Sequence, residues 1–204
     1  QVHDPAYNKL GFSIHDYFFA KALDQVRPGG VVAFVTSRYT MDKQSPEVRK
    51  YIAQRAELLG AIRLPNNAFK ANAGTDVVSD IIFLQKRDRI VDIEPDWVHL
   101  GTDENGIPMN SYFVDHPEMI LGEMQMVSGR FGPEPSCVPY EGADLEEQLS
   151  EAIANIHGEV TAYEVDDELT EEDWDKIIAS GMAFSREVCA SLDNYVSKDF
   201  ASKL

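Results

Sequence analysis

The sequence predicts an α/β fold with an acidic α-helical C-terminal region. Three observations point there. A stretch of helical period runs into a glycine turn and then a short apolar run over residues 13–37. Similar grammar returns over residues 45–87, where a helical stretch precedes two further apolar runs. Charge then reverses. Residues 1–90 hold 13 Lys+Arg and 9 Asp+Glu, net +4, whereas residues 91–204 hold 5 and 26, net −21. The chain therefore divides into an α/β part (1–90), an extended arm with a Pro/Gly linker (91–140) and an acidic helical region (141–204).

The first helix is read over SIHDYFFAKALDQV, with Ser13 as N-cap and Asp16 three residues on, as in a capping box. Ile14, Phe18, Ala22, Leu23 and Val26 form its apolar stripe. Arg27 complements the helix C-terminus, and Pro28-Gly29-Gly30 ends it. Val31 to Thr36 is apolar without alternation, which predicts a strand covered on both faces. Ser45-Pro46-Glu47 opens a second helix, predicted to reach Glu57. Leu58 to Pro65 and Val77 to Arg87 are predicted strands, joined by the polar loop NNAFKANAGTD, Asn66 to Asp76. The later strand carries a lone Asp80 and a basic end. No helix separates these two strands, so they are expected to be antiparallel neighbours.

Beyond Ile90 the chain is rich in turn residues, with short apolar runs at Trp97 and Tyr112-Phe113. This reads as an arm packed on the first part. RFGPEPSCVPYEG, Arg130 to Gly142, reads as a linker. ADLEEQLSEAIANIHGEV is an amphipathic helix with Leu145, Leu149, Ile153 and Ile156 on one stripe. A further helix is predicted after Thr170, and the segment from Phe184 to Phe200 is also read as helical.

Several function classes are disfavoured. No run approaches the roughly 18 apolar residues of a membrane span. Cys137 and Cys189 are far apart and lack a CxxC spacing, so they are expected to be reduced thiols of a cytoplasmic protein. His3, His15, His99, His116 and His157 show no HxH, HxxxH or HExxH spacing, so no metal site is expected. No GxSxG turn supports a hydrolase.

Three pieces line up: SIHDYFFAKALDQVRPGGVVAFVTS, the SPEVRKYI helix, and LLGAIRLPNNAFKANAGTDVVSDIIFLQKR. Over residues 7–90 they resemble the later half of a Rossmann-like S-adenosylmethionine-dependent DNA methyltransferase. The type is the N6-adenine enzymes with NPPY motifs, as in methylase–helicase fusion proteins of bacterial mobile elements. The resemblance implies a partial Rossmann-like methyltransferase sheet made of late strands, the last two antiparallel. It implies DNA as partner, S-adenosylmethionine as cofactor of the parent enzyme, a missing N-terminal half upstream of Gln1, and a fused helicase domain. The chain has no Pro-Pro and no glycine-rich GxG loop. The isolated chain is thus expected to hold no catalytic residue, to bind no cofactor and to be inactive.

The same resemblance assigns roles to five side chains. Phe18 would pack on the cofactor's adenine, and Phe69 would stack on an adenine flipped out of the duplex. Lys70, Asn72 and Thr75 would contact the phosphates of the target strand. Independently of it, Arg38, Lys43, Arg49, Lys50, Arg55 and Arg63 offer a phosphate-facing surface or an ordinary charged one. The rival function is a non-catalytic acidic module that docks a basic partner or another domain.

Overall fold

The computed structural model describes residues 7, 12–74, 76–129 and 132–162. Helix α1 (Ile14–Gln25) starts as its capping box dictates. The Ser13 hydroxyl accepts from the Asp16 N–H at 3.4 Å, and the Asp16 carboxylate accepts from the Ser13 N–H at 3.3 Å. After it, Gly29 takes φ 77°, which only glycine adopts without strain, and turns the chain into strand β1 (Val31–Ser37).

A four-residue helix α2 (Tyr39–Asp42) and helix α3 (Glu47–Arg55) lead to strand β2 (Ala56–Leu64). A connection holding the short helix α4 (Lys70–Ala73) leads back as strand β3 (Ser79–Lys86). The three strands form one sheet in the order β1-β3-β2. Strand β3 is antiparallel to both neighbours, as the missing crossover helix requires for β2. The fold is thus mixed α/β, with β1 and β2 running the same way on either side of β3.

Two expectations about this part are corrected. The core face of α1 is Asp16, Phe19, Ala20 and Leu23, while Ile14 and Phe18 point to solvent. The helix is apolar on two faces, and stacking of Phe19 on Phe34 of β1 at 4.2 Å selects the other one. Strand β1 is not covered on both faces. Val32 and Phe34 pack on the core, whereas Val31, Ala33 and Val35 are exposed.

Residues 91–140 are not an extended arm. A 3-10 turn (Asp96–Val98) precedes a hairpin of β4 (Leu100–Thr102) and β5 (Pro108–Asn110). Helix α5 (Ser111–Asp115), a second 3-10 turn (Pro117–Met119) and a ribbon of β6 (Glu123–Gly129) and β7 (Gly132–Val138) follow. The predicted linker is therefore largely strand β7. Its Pro133 and Pro135 sit two residues apart, which puts both on the same side of the strand. The reason the region orders is burial: Val98, Ile107, Met109, Phe113, Met119 and Leu121 are all inside. Backbone bonds from Leu121 to Arg63 (2.9 Å) and from Asn66 to Cys137 (2.8 Å) tie it to the end of β2.

Helix α6 (Leu145–Ala154) is capped by Asp144, whose carboxylate accepts from the N–H groups of Glu146 (2.8 Å) and Glu147 (3.0 Å). Behind it the chain crosses the sheet. The Gly158 N–H donates to Leu59 at 2.9 Å, and the Gln85 side chain both donates to and accepts from the Thr161 backbone at 2.7 and 2.9 Å. The helices expected after Thr170 and from Phe184 lie outside the described residues. Among the described residues no helix is long and apolar enough to cross a membrane.

Candidate functional site

The sheet end shared by β1, β2 and β3 carries two features, a buried charge network and the β2–β3 connection above it. Arg63 and Asp80 are direct cross-strand partners on β2 and β3. Arg63 is 0 % exposed and grips Asp80 as a fork, Nε to Oδ1 at 2.8 Å and Nη2 to Oδ2 at 2.9 Å. Its Nη2 also donates to Asp42 Oδ1 at 3.0 Å, and its guanidinium lies 4.3 Å from the Phe113 ring centroid. Asp42 accepts in turn from the Asn110 N–H at 3.0 Å and lies 3.7 Å from Arg38. Arg38 reaches Glu134 of β7 at 3.6 Å.

Burial pushes the Asp80 carboxyl upward, against the pull of the Arg63 guanidinium. For Arg63, burial works downward, but Asp80 and Asp42 outweigh it and hold the group firmly cationic. Beside them, burial pushes the Cys137 thiol up to about 12, with Arg63 opposing and Asp80 adding to the shift. Cys137 is a free, buried cysteine. Cys189 lies outside the described residues.

This network revises the reading of the basic residues. Arg38, Arg49 and Arg63 are buried rather than part of a phosphate-facing or ordinary surface. Arg49 donates to the carbonyls of Val98 (2.7 Å) and Lys43 (2.8 Å), pinning the α2–α3 turn to the 3-10 segment. Lys43 pairs with Asp16, Lys50 with Glu94, and Arg55 stacks on Tyr51. A signal for the fork was present in the sequence. A lone acid and a lone base in apolar strands predict each other, because buried charges persist only when paired.

The connection above the network is held at both ends. Leu64 pairs with Ser79, and the Asn66 amide donates to the Ser136 hydroxyl at 3.1 Å. Phe69 is half-buried and packs against the core, so its ring is less open than a stacking role implies. Lys70 is exposed and lies 3.2 Å from exposed Asp76. Such a pair holds little energy and breaks readily for a phosphate. The side chain of Asn72 and the whole of Thr75 lie outside the described residues. Phe18 is 55 % exposed and sits edge-on to Tyr17, with its ring open on the second face of α1. A cleft of about 220 Å³ beside the start of α1 is lined by Ser13, His15, Asp16, Ser37, Tyr39, Thr40 and Lys43, without Phe18.

A second cluster lies away from this end. His116, Glu118 and His157 bring one ring nitrogen or carboxylate oxygen each to within 4.8 Å of one another. Linear spacing could not reveal them, since His157 comes from another element. Burial works to raise the Glu118 carboxyl, but bonds from His157, its own backbone and His116 outweigh it and hold it low.

Comparison with known proteins gives one partial likeness. The chain is 35 % identical over 71 residues to the defense against restriction protein B of Escherichia phage P1. The aligned stretch covers 34 % of this chain but only 3 % of that protein. No family model matches the chain, and no solved structure matches it. The DNA adenine methyltransferase reading is therefore corrected, because the matching protein is named for defence against restriction and no methyltransferase model matches. The physical reason is that a helix, a glycine turn and a strand are common α/β grammar. That grammar builds a scaffold without specifying what chemistry is mounted on it.

Proposed function

We propose that the chain is a DNA-contacting part of a protein that defends DNA against restriction, and that the β2–β3 connection makes the contact. One observation carries the reading. The loop holding Phe69 and Lys70 springs from a sheet end fixed by the Arg63–Asp80 fork, which suits a binding loop on a rigid base. Partial likeness to the phage protein supplies the biological setting. Asn72 and Thr75 lie in the same loop by sequence and belong to the proposed contact. The partner is DNA, met inside the cytoplasm, where the buried Cys137 thiol stays reduced.

The proposal extends to the sheet. Val31 and Val35 are exposed on a strand whose first five residues are all apolar, which supports a role for β1 inside a larger Rossmann-like sheet completed by other parts of the parent protein. The test is fluorescence anisotropy with labelled single- and double-stranded DNA across a salt series. Binding should weaken in Lys70→Ala, with the salt slope reduced by about one. It should weaken in Phe69→Ala by about 1–3 kcal/mol if the ring stacks on a base. Binding that ignores both substitutions, or no binding at low salt, rejects the loop as the contact.

A further inference from the structure

We propose that His116, Glu118 and His157 form a divalent zinc site that clamps the segment following α6 to the turn following α5. The argument starts from donor chemistry. Two imidazole nitrogens and one carboxylate oxygen form a donor set that suits zinc. Zinc–nitrogen and zinc–oxygen bonds near 2.0–2.2 Å place neighbouring ligands of a tetrahedron about 3.3 Å apart. Glu118 Oε1 lies 3.3 Å from His116 Nδ1 and 3.1 Å from His157 Nε2. Two of the three edges thus have the length a bound ion demands, and the third is within 4.8 Å.

The three ligands are also held in place. His116 ends α5, its N–H donating to the Tyr112 carbonyl at 2.9 Å, and its carbonyl accepts from Met119 at 3.0 Å. Glu118 therefore sits in a closed 3-10 turn begun by Pro117, whose φ is locked. The His116 ring is flanked by Tyr112 at 4.7 Å and His157 at 5.0 Å, which limits its rotation. His157 is fixed from behind. The next residue, Gly158, is bonded to Leu59, and a Cβ there would lie 2.3 Å from the Leu59 Cα. Only a backbone pressed flat on β2 allows that approach, so His157 has little freedom to swing away.

Half-exposed imidazoles leave the site open to solvent, and three protein ligands leave a coordination position for water. The mechanical effect is a cross-link between residues 39 apart in the sequence. It fastens the crossing segment to the turn following α5, in addition to the Gln85–Thr161 bonds that hold the segment to the sheet.

The experiment is zinc titration of the metal-stripped full chain against a chromophoric chelator, with excess magnesium present to occupy exposed carboxylates. One zinc per chain is expected at micromolar affinity or better. His116→Ala and His157→Ala should each weaken uptake at least ~10-fold, and His99→Ala should leave it unchanged. In the unsubstituted chain, zinc should shift the imidazole resonances of His116 and His157 and leave those of His15 and His99 in place. Absence of saturable uptake overturns the site. So does uptake that survives loss of both histidines, or zinc-induced shifts confined to the other histidines.

Discussion

Ile62 of β2 and Val35 of β1 face Ile81 of β3 from opposite sides, in one cross-strand row on one face of the sheet. Ile62 is 0 % exposed and Val35 is 61 % exposed. Sequence alone rates both strands as apolar runs that want cover. Only β2 finds it, from Tyr112 and from Ile156, whose side chain would lie 3.1 Å from a Cβ at Gly60. At this row the two strands thus differ in their surroundings, not in the apolar character of the residue. The β2 side holds the stability of the described part, while the β1 side holds apolar surface that contributes little until something packs on it.

The difference is broken most severely at the charged row. Asp80→Ala leaves the buried Arg63 cation with Asp42 as its one remaining carboxylate and should cost about 3–5 kcal/mol, read by urea unfolding. Replacing both partners with apolar residues, Arg63→Met with Asp80→Leu, should cost clearly less than the single change. If it costs more, the fork is needed for more than charge balance.

Ile62→Ala should follow, at about 2–5 kcal/mol in the same assay. Gly158→Ala should lose about 1–3 kcal/mol, since its Cβ would collide with the Leu59 backbone rather than with a yielding side chain. At the other end of the row, Val35→Thr should stay within about 0.5 kcal/mol. A large loss there would mean that the open face is already covered in solution, for instance by a second copy.

The pH dependence sharpens the same contrast. The Cys137 thiol has its ordinary value at 9.0 and is pushed by burial to about 12 in the folded chain. The unfolded chain therefore releases this proton first. The contribution is fully present below pH 9.0 and is lost as pH rises toward about 12. Stability measured across that window should fall, and Cys137→Ser should flatten the fall. At neutral pH the thiol should resist alkylation until the chain unfolds.

How much of this was legible follows from which interactions are local. The capping box of Ser13 and Asp16, the Gly29 turn and the antiparallel pairing of β2 with β3 depend on neighbours in sequence, and each was readable. The rotation of α1 was not, because choosing Phe19 over Phe18 required knowing that Phe34 waits opposite. The hairpins of residues 100–138 were hidden by their turn-rich composition, which suits a loop and a short ribbon equally well. At the candidate site, Phe69 and Lys70 were singled out by the resemblance rather than by local pattern, and the structure places both in the β2–β3 connection. The fork was foreshadowed only by two lone charges, and the His116–Glu118–His157 cluster not at all, since it is assembled by packing.

Gln85 gives the fold a timer. Its amide makes with Thr161 both bonds that an adjoining strand would make, so Thr161 is protected without belonging to any ladder. The Thr161 N–H should exchange with solvent slowly, at a rate set by lifting of the crossing segment rather than by unfolding of the sheet. Its exchange in deuterated water therefore counts openings of that face one residue at a time, before any strand has come apart.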